Sequence, residues 1–169
     1  FKVSVRAARC PSRRVFVVLH LFAGVRRPGD VEEQLQRMAA AEGLGILVLS
    51  ADLATDPSWD LGRPGTFAEL MQLVVGGCVD ALLAGPPCST FSRDRFIFLR
   101  GGPRPVRLRG KWAWGLPDLT ENERTRVVEA NVRVVNTVAL AEGGSQRGGV
   151  DLGVSPEDPG GGRSPGSTD

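Results

Sequence analysis

The cysteine at position 88 follows a short apolar run that ends in a stiff turn. Residues 79–92 read VDALLAGPPCSTFS, so four apolar residues are followed at once by Gly-Pro-Pro-Cys. The apolar run is typical of a buried parallel strand, and ligands bind at the carboxyl ends of such strands in open α/β sheets. Two consecutive prolines fix φ and remove two backbone donors, so the turn is rigid. A thiol held there suits a nucleophile, although a small buried residue that only packs is the alternative.

A second candidate site precedes this one, where a strand, a glycine turn and a helix follow one another. Residues 15–22 are apolar and β-branched almost throughout, which predicts a central strand covered on both faces. The strand ends in the tripeptide FAG at residues 22–24. Asp30, with Glu33 three residues later, predicts the start of the helix. This order is the one that holds nucleotide-like ligands at a helix N-terminus.

An acidic residue follows the second predicted strand. Residues 45–49 read GILVL and run into Ser50-Ala51-Asp52. In dinucleotide-type sites, a carboxylate about 20 to 30 residues after the glycine turn binds the ribose hydroxyls. A carboxylate that only caps its own loop is an equally good interpretation of Asp52.

An arginine-rich loop follows Ser92. Its basic residues are opposed only by Asp94, and glycine and proline interrupt the run, which favours a loop. Basic side chains next to aromatic ones are suited to phosphate contacts and base stacking. The alternative is a solvated loop whose aromatic residues pack into the core. The basic residues are Arg93, Arg95, Arg100, Arg104, Arg107, Arg109 and Lys111, and the aromatic ones are Phe96, Phe98, Trp112 and Trp114.

The composition is that of one ordinary globular domain. Of the 169 residues, 41% are hydrophobic and 24% charged, which suffices for a core. No apolar run approaches the ~20 residues that span a bilayer, so no membrane partner is expected. The basic start before VFVVLHLFAG also has the pattern of a targeting segment, although a first strand fits it better. Cys10, Cys78 and Cys88 share no metal-ligand spacing, so we expect free thiols, no metal and an intracellular location.

The sequence divides into three parts. Residues 1–14 are basic and lack periodicity, which predicts an N-terminal arm. Residues 15–142 alternate strand and helix patterns and end in a long helix over 117–141 that Thr120 caps, which predicts the α/β class with a mostly parallel sheet and helices on both faces. Residues 143–169 are rich in glycine and proline and bury too little apolar surface to offset ordering, so they are expected to be disordered.

These segments resemble the catalytic core of the cytosine-5 DNA methyltransferases, including the related enzymes that act on tRNA. The tetrapeptide LFAG at residues 21–24 resembles the family motif that closes over S-adenosylmethionine. VDALLAGPPC at residues 79–88, followed by Phe91-Ser92, resembles the nucleophile motif. The likeness covers residues 15–142 and implies a Rossmann-like S-adenosylmethionine-dependent methyltransferase fold. Because the chain starts at Phe1 and lacks the later motifs, we expect a truncated form with only the N-terminal part of that core.

The resemblance implies a mechanism in which Cys88 adds to carbon 6 of cytosine and carbon 5 then takes the methyl group of S-adenosylmethionine. A neighbouring Arg93 or Arg95 would favour the thiolate electrostatically. The target base must be flipped out of a duplex or met single-stranded, and DNA in the nucleus is expected ahead of tRNA. The implied cofactor-binding residues are Phe22, Ala23, Gly24, Asp52 and Pro86, and the implied substrate and nucleic-acid contacts are Pro87, Ser92, Arg93, Arg95 and Arg104.

The sequence also departs from the family pattern, which leaves other functions open. Residues 25–29 (VRRPG) replace further glycines of the first motif. The family's glutamate that protonates ring nitrogen 3 is not found in Glu129-Ala130-Asn131-Val132, which lies inside the predicted long helix; it is expected on a strand after about residue 144, where residues 154–159 (VSPEDP) are the only candidate remnant. The alternative function is an inactive remnant that binds cofactor or nucleic acid only. A Rossmann-like domain for another nucleotide is a third interpretation, which leaves the Pro-Pro-Cys turn unexplained.

Overall fold

The computed structural model describes residues 15–86, 88–96, 102–146, 148 and 150–153. The predicted basic arm, Pro87 and residues 154–169 of the predicted tail lie outside the described residues. The strands are β1 (Val15–Leu21), β2 (Gly45–Ala51), β3 (Ala81–Ala84) and β4 (Val150–Gly153). The α-helices are α1 (Val31–Ala41), α2 (Pro64–Val75) and α3 (Glu121–Ser145).

The four described strands form one parallel sheet in the order β2-β1-β3-β4. β1 is central: it pairs with β2 along its whole length and with β3 through its last four residues. From β1 the chain moves outward to β2, and it then crosses to the other side of β1 to form β3. The connections therefore diverge between β1 and β3, and ligands of open α/β sheets bind at such a point.

Helices cover both faces of the sheet, as expected for strands that are apolar almost throughout. On one face α2 and α3 pack over the larger core, which includes the fully buried Leu19, Leu70 and Leu140. On the other face α1 covers a smaller cluster, in which Leu35 packs against Val18. The predicted α/β class with helices on both faces is confirmed. The narrower assignment to a methyltransferase fold stays a prediction.

The helix starts predicted at Asp30 and Thr120 are observed. Asp30 Oδ1 accepts a hydrogen bond from the backbone N–H of Glu33 at 2.9 Å. Thr120 Oγ1 accepts from the Glu123 N–H at 3.3 Å, and Glu123 Oε2 accepts in return from the Thr120 N–H at 2.9 Å. Each contact satisfies a backbone donor that the first helical turn leaves unpaired. Over the described ranges, none of the helices has enough length and apolar character to span a lipid bilayer.

The end of the described chain differs from the predicted disordered tail. α3 continues past residue 142 to Ser145, and β4 pairs in parallel with the whole of β3. The pairing uses main-chain N–H and C=O groups, so a glycine-containing segment with few apolar side chains can add to the open edge of β3. α3 therefore ends at Ser145 and β4 lies at Val150–Gly153, both beyond the boundary predicted at residue 142.

Substitution of Asp80 tests how β3 is joined to β1 at the start of β3. Its backbone N–H donates to Val17 O at 2.8 Å, and its Oδ2 accepts from the Val17 N–H at 2.9 Å. Val17 has no exposed surface, so Asp80→Ala leaves a buried donor unsatisfied and should lower the free energy of unfolding by about 1–3 kcal/mol. Asp80→Asn keeps an acceptor oxygen and should lose less. Urea denaturation followed by circular dichroism measures both, and equal losses would contradict this account.

Candidate functional site

The turn after β1 is held in an unusual backbone conformation against the end of β2. The Phe22 N–H donates to Ala51 O at 2.8 Å, and the Ala23 N–H donates to the same oxygen at 3.4 Å. Phe22 has φ 58° and Gly24 has φ 76°. The left-handed region suits glycine but is rare for a bulky residue, where it costs about 1–3 kcal/mol. Such strain persists where neighbours impose it, and it clusters at ligand sites.

Asp52 ties this turn to the end of β2. Its Oδ2 accepts from the Gly24 N–H at 2.8 Å, and its Oδ1 accepts from the Ala54 N–H at 2.7 Å. The carboxylate thus caps its own loop and braces the glycine turn, and it also lines the cavity described next. Each oxygen keeps a second lone pair, so Asp52 can still accept a hydrogen bond from a ligand hydroxyl.

An open cavity of about 480 Å³ lies over the carboxyl ends of β1 and β3. Its volume falls in the range of small-molecule and cofactor sites, and its position is the point where the strand connections diverge. Most of its surface is apolar, including the side chain of Trp59. Four residues predicted from three separate segments share this cavity: Phe22, Asp52, Pro86 and Cys88.

Cys88 stands at the start of a short 3-10 turn, Cys88–Thr90, and is exposed. The Phe91 N–H donates to Cys88 O at 2.8 Å and closes this turn. Before it, the Gly85 N–H donates to Leu21 O at 3.4 Å, which extends the pairing with β1 by one residue beyond β3. The thiol is therefore accessible from the cavity, and backbone contacts fix the chain on both sides of it.

An ion pair that sequence reasoning missed forms part of the cavity wall. Arg133 Nε lies 3.1 Å from Asp60 Oδ1, and the two side chains are only 16% and 20% exposed. Burial raises the pKa of Asp60, but the hydrogen bonds from Arg133 and from the Gly62 N–H outweigh it, so the pKa lies below its ordinary value. Asp60 is thus a carboxylate at neutral pH. Because Arg133 belongs to a helix and Asp60 to a distant loop, their spacing gives no signal of the pair.

Arg107 is a second residue that sequence reasoning did not single out. Only 5% of it is exposed, and its guanidinium lies 3.8 Å from the ring centre of Phe91. Its N–H groups donate to Thr90 Oγ1, Asn131 Oδ1 and the carbonyls of Ala113 and Val127 at 2.7–3.3 Å.

The atoms that accept hydrogen bonds from the Arg107 guanidinium are therefore all uncharged. Burial, with a smaller contribution from the charge of Arg95, lowers the pKa of Arg107 to about 10. The guanidinium stays protonated at neutral pH. Because it bonds both to the turn that begins at Cys88 and to α3, it joins the candidate nucleophile to the helical layer.

Arg95 contacts the backbone around the candidate nucleophile. Its Nε donates to Ser89 O, and its Nη1 donates to Arg104 O at 3.1 Å. The Arg95 N–H also donates to Ser92 O at 3.3 Å. These contacts tie the turn after Cys88 to the arginine-rich loop.

Arg104 pairs with carboxylates at the start of α3. Its guanidinium lies 2.9 Å from Asp118 Oδ2 and 2.9 Å from Glu123 Oε2. Arg104 therefore has a structural role at the start of α3 in addition to its predicted contact with nucleic acid, and the two carboxylates offset its charge. Pro87 and the side chain of Arg93 lie outside the described residues.

Comparisons with protein-family models, with curated proteins and with solved structures find no match for this chain. Over the described ranges, no group of three or more His, Cys, Asp or Glu side chains could hold a metal ion. What the fold and cavity define is an α/β domain of the general Rossmann-like kind with a ligand-sized cavity at the carboxyl edge of its parallel sheet.

Arg107→Ala should lower the free energy of unfolding by about 2–4 kcal/mol, because it leaves several buried acceptors without donors. Arg107→Lys should recover only part of the loss, since an ammonium cannot reproduce the planar fork of donors. Arg126→Ala removes an exposed arginine of α3 and should change stability by no more than about 0.5 kcal/mol. Guanidinium denaturation compares the three variants, and a stable Arg107→Ala protein would refute the assigned role.

Glu123 should make the stability of the chain fall at acid pH. The hydrogen bond from Arg104, followed by that from the Thr120 N–H, lowers the pKa of Glu123 from 4.5 to about 2. Because the folded pKa lies below the unfolded one, the stabilisation is complete above about pH 4.5 and is lost as the pH falls towards about 2. Glu123→Gln should flatten the melting-temperature profile over this interval. Glu121→Gln changes the same charge in the same helical turn but leaves the contacts of Arg104 with Glu123 and Asp118 in place, so it should flatten the profile less; two equally flattened profiles would argue against the assignment.

Proposed function

We propose that the protein transfers a methyl group from S-adenosylmethionine to carbon 5 of cytosine in DNA, through a covalent adduct on Cys88. The observation that carries this proposal is the single cavity that contains the exposed thiol of Cys88 beside the strained turn at Phe22 and the carboxylate of Asp52. A nucleophile and a nucleotide-type turn in one cavity suit group transfer between two molecules bound side by side. Cytosine in tRNA is the second candidate substrate.

The residues of the cavity fit S-adenosylmethionine, which when bound supplies an electrophilic methyl group. Ala23 and Gly24 belong to the turn beside the cavity and are not among its lining residues; the positive φ of Gly24 and its missing side chain leave the backbone of the turn open to close approach. Asp52 has lone pairs left for a ribose hydroxyl. Phe22 and Trp59 give the cavity aromatic surface that an adenine ring can pack against. Cys88 and Pro86 line the same cavity and would face the target base.

Cys88 performs the covalent step in this proposal. Its sulfur forms a bond to carbon 6 of cytosine, and the electrons of the 5,6 double bond make carbon 5 nucleophilic. Carbon 5 takes the methyl group as the S–CH3 bond of the sulfonium breaks and a neutral thioether leaves; loss of the carbon 5 proton and elimination of the Cys88 thiolate then restore the ring. Arg107 and Arg95 support these steps indirectly, because they hold the turn on which the thiol stands.

The contact with nucleic acid would use the exposed cations of the arginine-rich loop. Arg107 is buried, whereas Arg104, Arg109 and Lys111 are exposed, and Arg104 also pairs with Asp118 and Glu123. The Lys111 ammonium lies 4.9 Å from the ring centre of Trp112, so a cation and an aromatic surface occur side by side. Such a pair suits phosphate contact and base stacking. If the substrate is DNA and the protein belongs to a cell with a nucleus, it acts in the nucleus.

A second candidate function is that of a remnant which binds cofactor or nucleic acid without turnover. The observation that favours it is β4, the strand next to β3, where the family's protonating glutamate is expected. This strand reads VDLG and so carries Asp151 but no glutamate. A domain for another nucleotide remains a third candidate, and comparing the binding of dinucleotides with that of S-adenosylmethionine distinguishes it.

Covalent trapping tests the proposed reaction directly. The full chain is incubated with S-adenosylmethionine and an oligonucleotide containing 5-fluorocytosine, whose fluorine blocks the last step and holds the adduct. The wild-type chain should give a protein–DNA band on a denaturing gel, with the adduct mapped to Cys88 by mass spectrometry. Cys88→Ser should give none, because its hydroxyl is a far weaker nucleophile.

The matched control is Cys78→Ser, which removes the other described thiol, a partly buried one outside the cavity. It should trap as well as the wild type. A wild-type chain that binds S-adenosylmethionine in calorimetry but gives no adduct would favour the remnant. A chain that binds neither S-adenosylmethionine nor DNA would overturn both of the first two candidates.

A further inference from the structure

The outward face of α3 is apolar where a surface helix is ordinarily polar. Val128, Val132, Val135 and Val138 are 53%, 38%, 51% and 50% exposed. Their spacing of three and four residues puts them on one side of the helix, and we call them the valine stripe. Contiguous exposed apolar surface of this kind marks interaction sites. The residues that α3 buries are Val127, Ala130, Thr137 and Leu140.

Charges of opposite sign flank the valine stripe. Arg124 lies four residues before Val128, and Glu142 lies four residues after Val138; both are exposed. Arg124 and Glu142 are 18 residues apart, which is five turns at 3.6 residues per turn, so they lie on the same side of α3. Glu121 is also exposed and lies three residues before Arg124 on the same side, so one end of the stripe carries both charges and the other end is negative.

We propose that two copies of this chain associate through the valine stripe with their α3 helices antiparallel. In that arrangement Val132 of one copy lies opposite Val135 of the other, and Arg124 of each copy lies within one residue of the position opposite Glu142 of the other. Both ends then join unlike charges. A parallel arrangement would instead oppose Arg124 to Arg124 and Glu142 to Glu142, and such like-charge contacts are unfavourable. Charge complementarity thus selects a second, antiparallel copy as the occupant.

The arrangement closes at two copies and leaves the cavity free. An antiparallel pair about a two-fold axis uses the same surface on both partners, so no further copy can add. Trp114 is 58% exposed and its carbonyl accepts from Asn131 Nδ2 at 2.9 Å, so an exposed aromatic residue stands beside α3. Tryptophan is among the residues enriched at protein interfaces. Arg133, the α3 residue in the cavity wall, lies on a different side of the helix from the stripe.

A charge exchange tests both the association and its direction. Sedimentation velocity over a series of concentrations should show the wild-type chain passing from monomer to dimer. Arg124→Glu and Glu142→Arg should each weaken the dimer about tenfold, because each change opposes like charges at both ends. The double variant should return to the wild-type affinity, since unlike charges then face each other again. Arg124→Glu puts a negative charge near the N-terminus of α3, and Glu142→Arg puts a positive charge near its C-terminus; the helix dipole favours both. Weaker association of these variants would therefore not result from a less stable helix.

Val135→Lys should abolish the dimer by burying an ammonium in the middle of the stripe. Met38→Lys is the matched control: Met38 is an apolar residue of α1 with 65% exposure, and its replacement should leave the dimer unchanged. Circular dichroism confirms that each variant is folded. A chain that stays monomeric at all concentrations overturns the proposal, as does a dimer that tolerates Val135→Lys. A double variant that associates no better than the single ones excludes the antiparallel arrangement.

Discussion

The pairing of β1 with strands on both sides is the constraint on which the other features depend. Because β2 and β3 run parallel to β1, all three strands end at one edge of the sheet. The turn at Phe22, the carboxylate of Asp52 and the thiol of Cys88 are far apart in sequence, yet each follows one of these strand ends. These three residues share one cavity because the backbone register of the strands brings them there. They need no direct bonds to one another to lie together.

The helical layer adds the second level of positioning. Arg133 of α3 reaches the cavity wall through Asp60, and Asn131 of the same helix accepts from the guanidinium that holds the turn after Cys88. One helix therefore carries both the wall of the cavity and the support of the thiol. The internal use of Arg107 also explains why the arginine-rich loop is less cationic towards solvent than its composition indicates.

The sequence predicts those features that depend on short-range patterns. Apolar runs locate β1, β2 and β3, and side chains that accept from nearby N–H groups locate the starts of two helices at Asp30 and Thr120. β4 escapes prediction because its order comes from main-chain pairing along β3, which composition does not record. The pair between Asp60 and Arg133 joins residues 73 positions apart, and no periodicity connects such residues. Arg107 stands in the same run as the exposed arginines of its loop, and its buried contacts come from distant residues, so only tertiary packing distinguishes it.

The left-handed backbone at Phe22 sets local strain against packing at one position. Glycine would adopt the observed φ of 58° without strain, but the Phe22 ring packs against the larger core and also lines the cavity. Exchange for glycine would therefore relax the backbone while leaving a void in the core and removing a wall of the cavity. The shape of the ligand cavity is consequently tied to the integrity of the core through this one side chain.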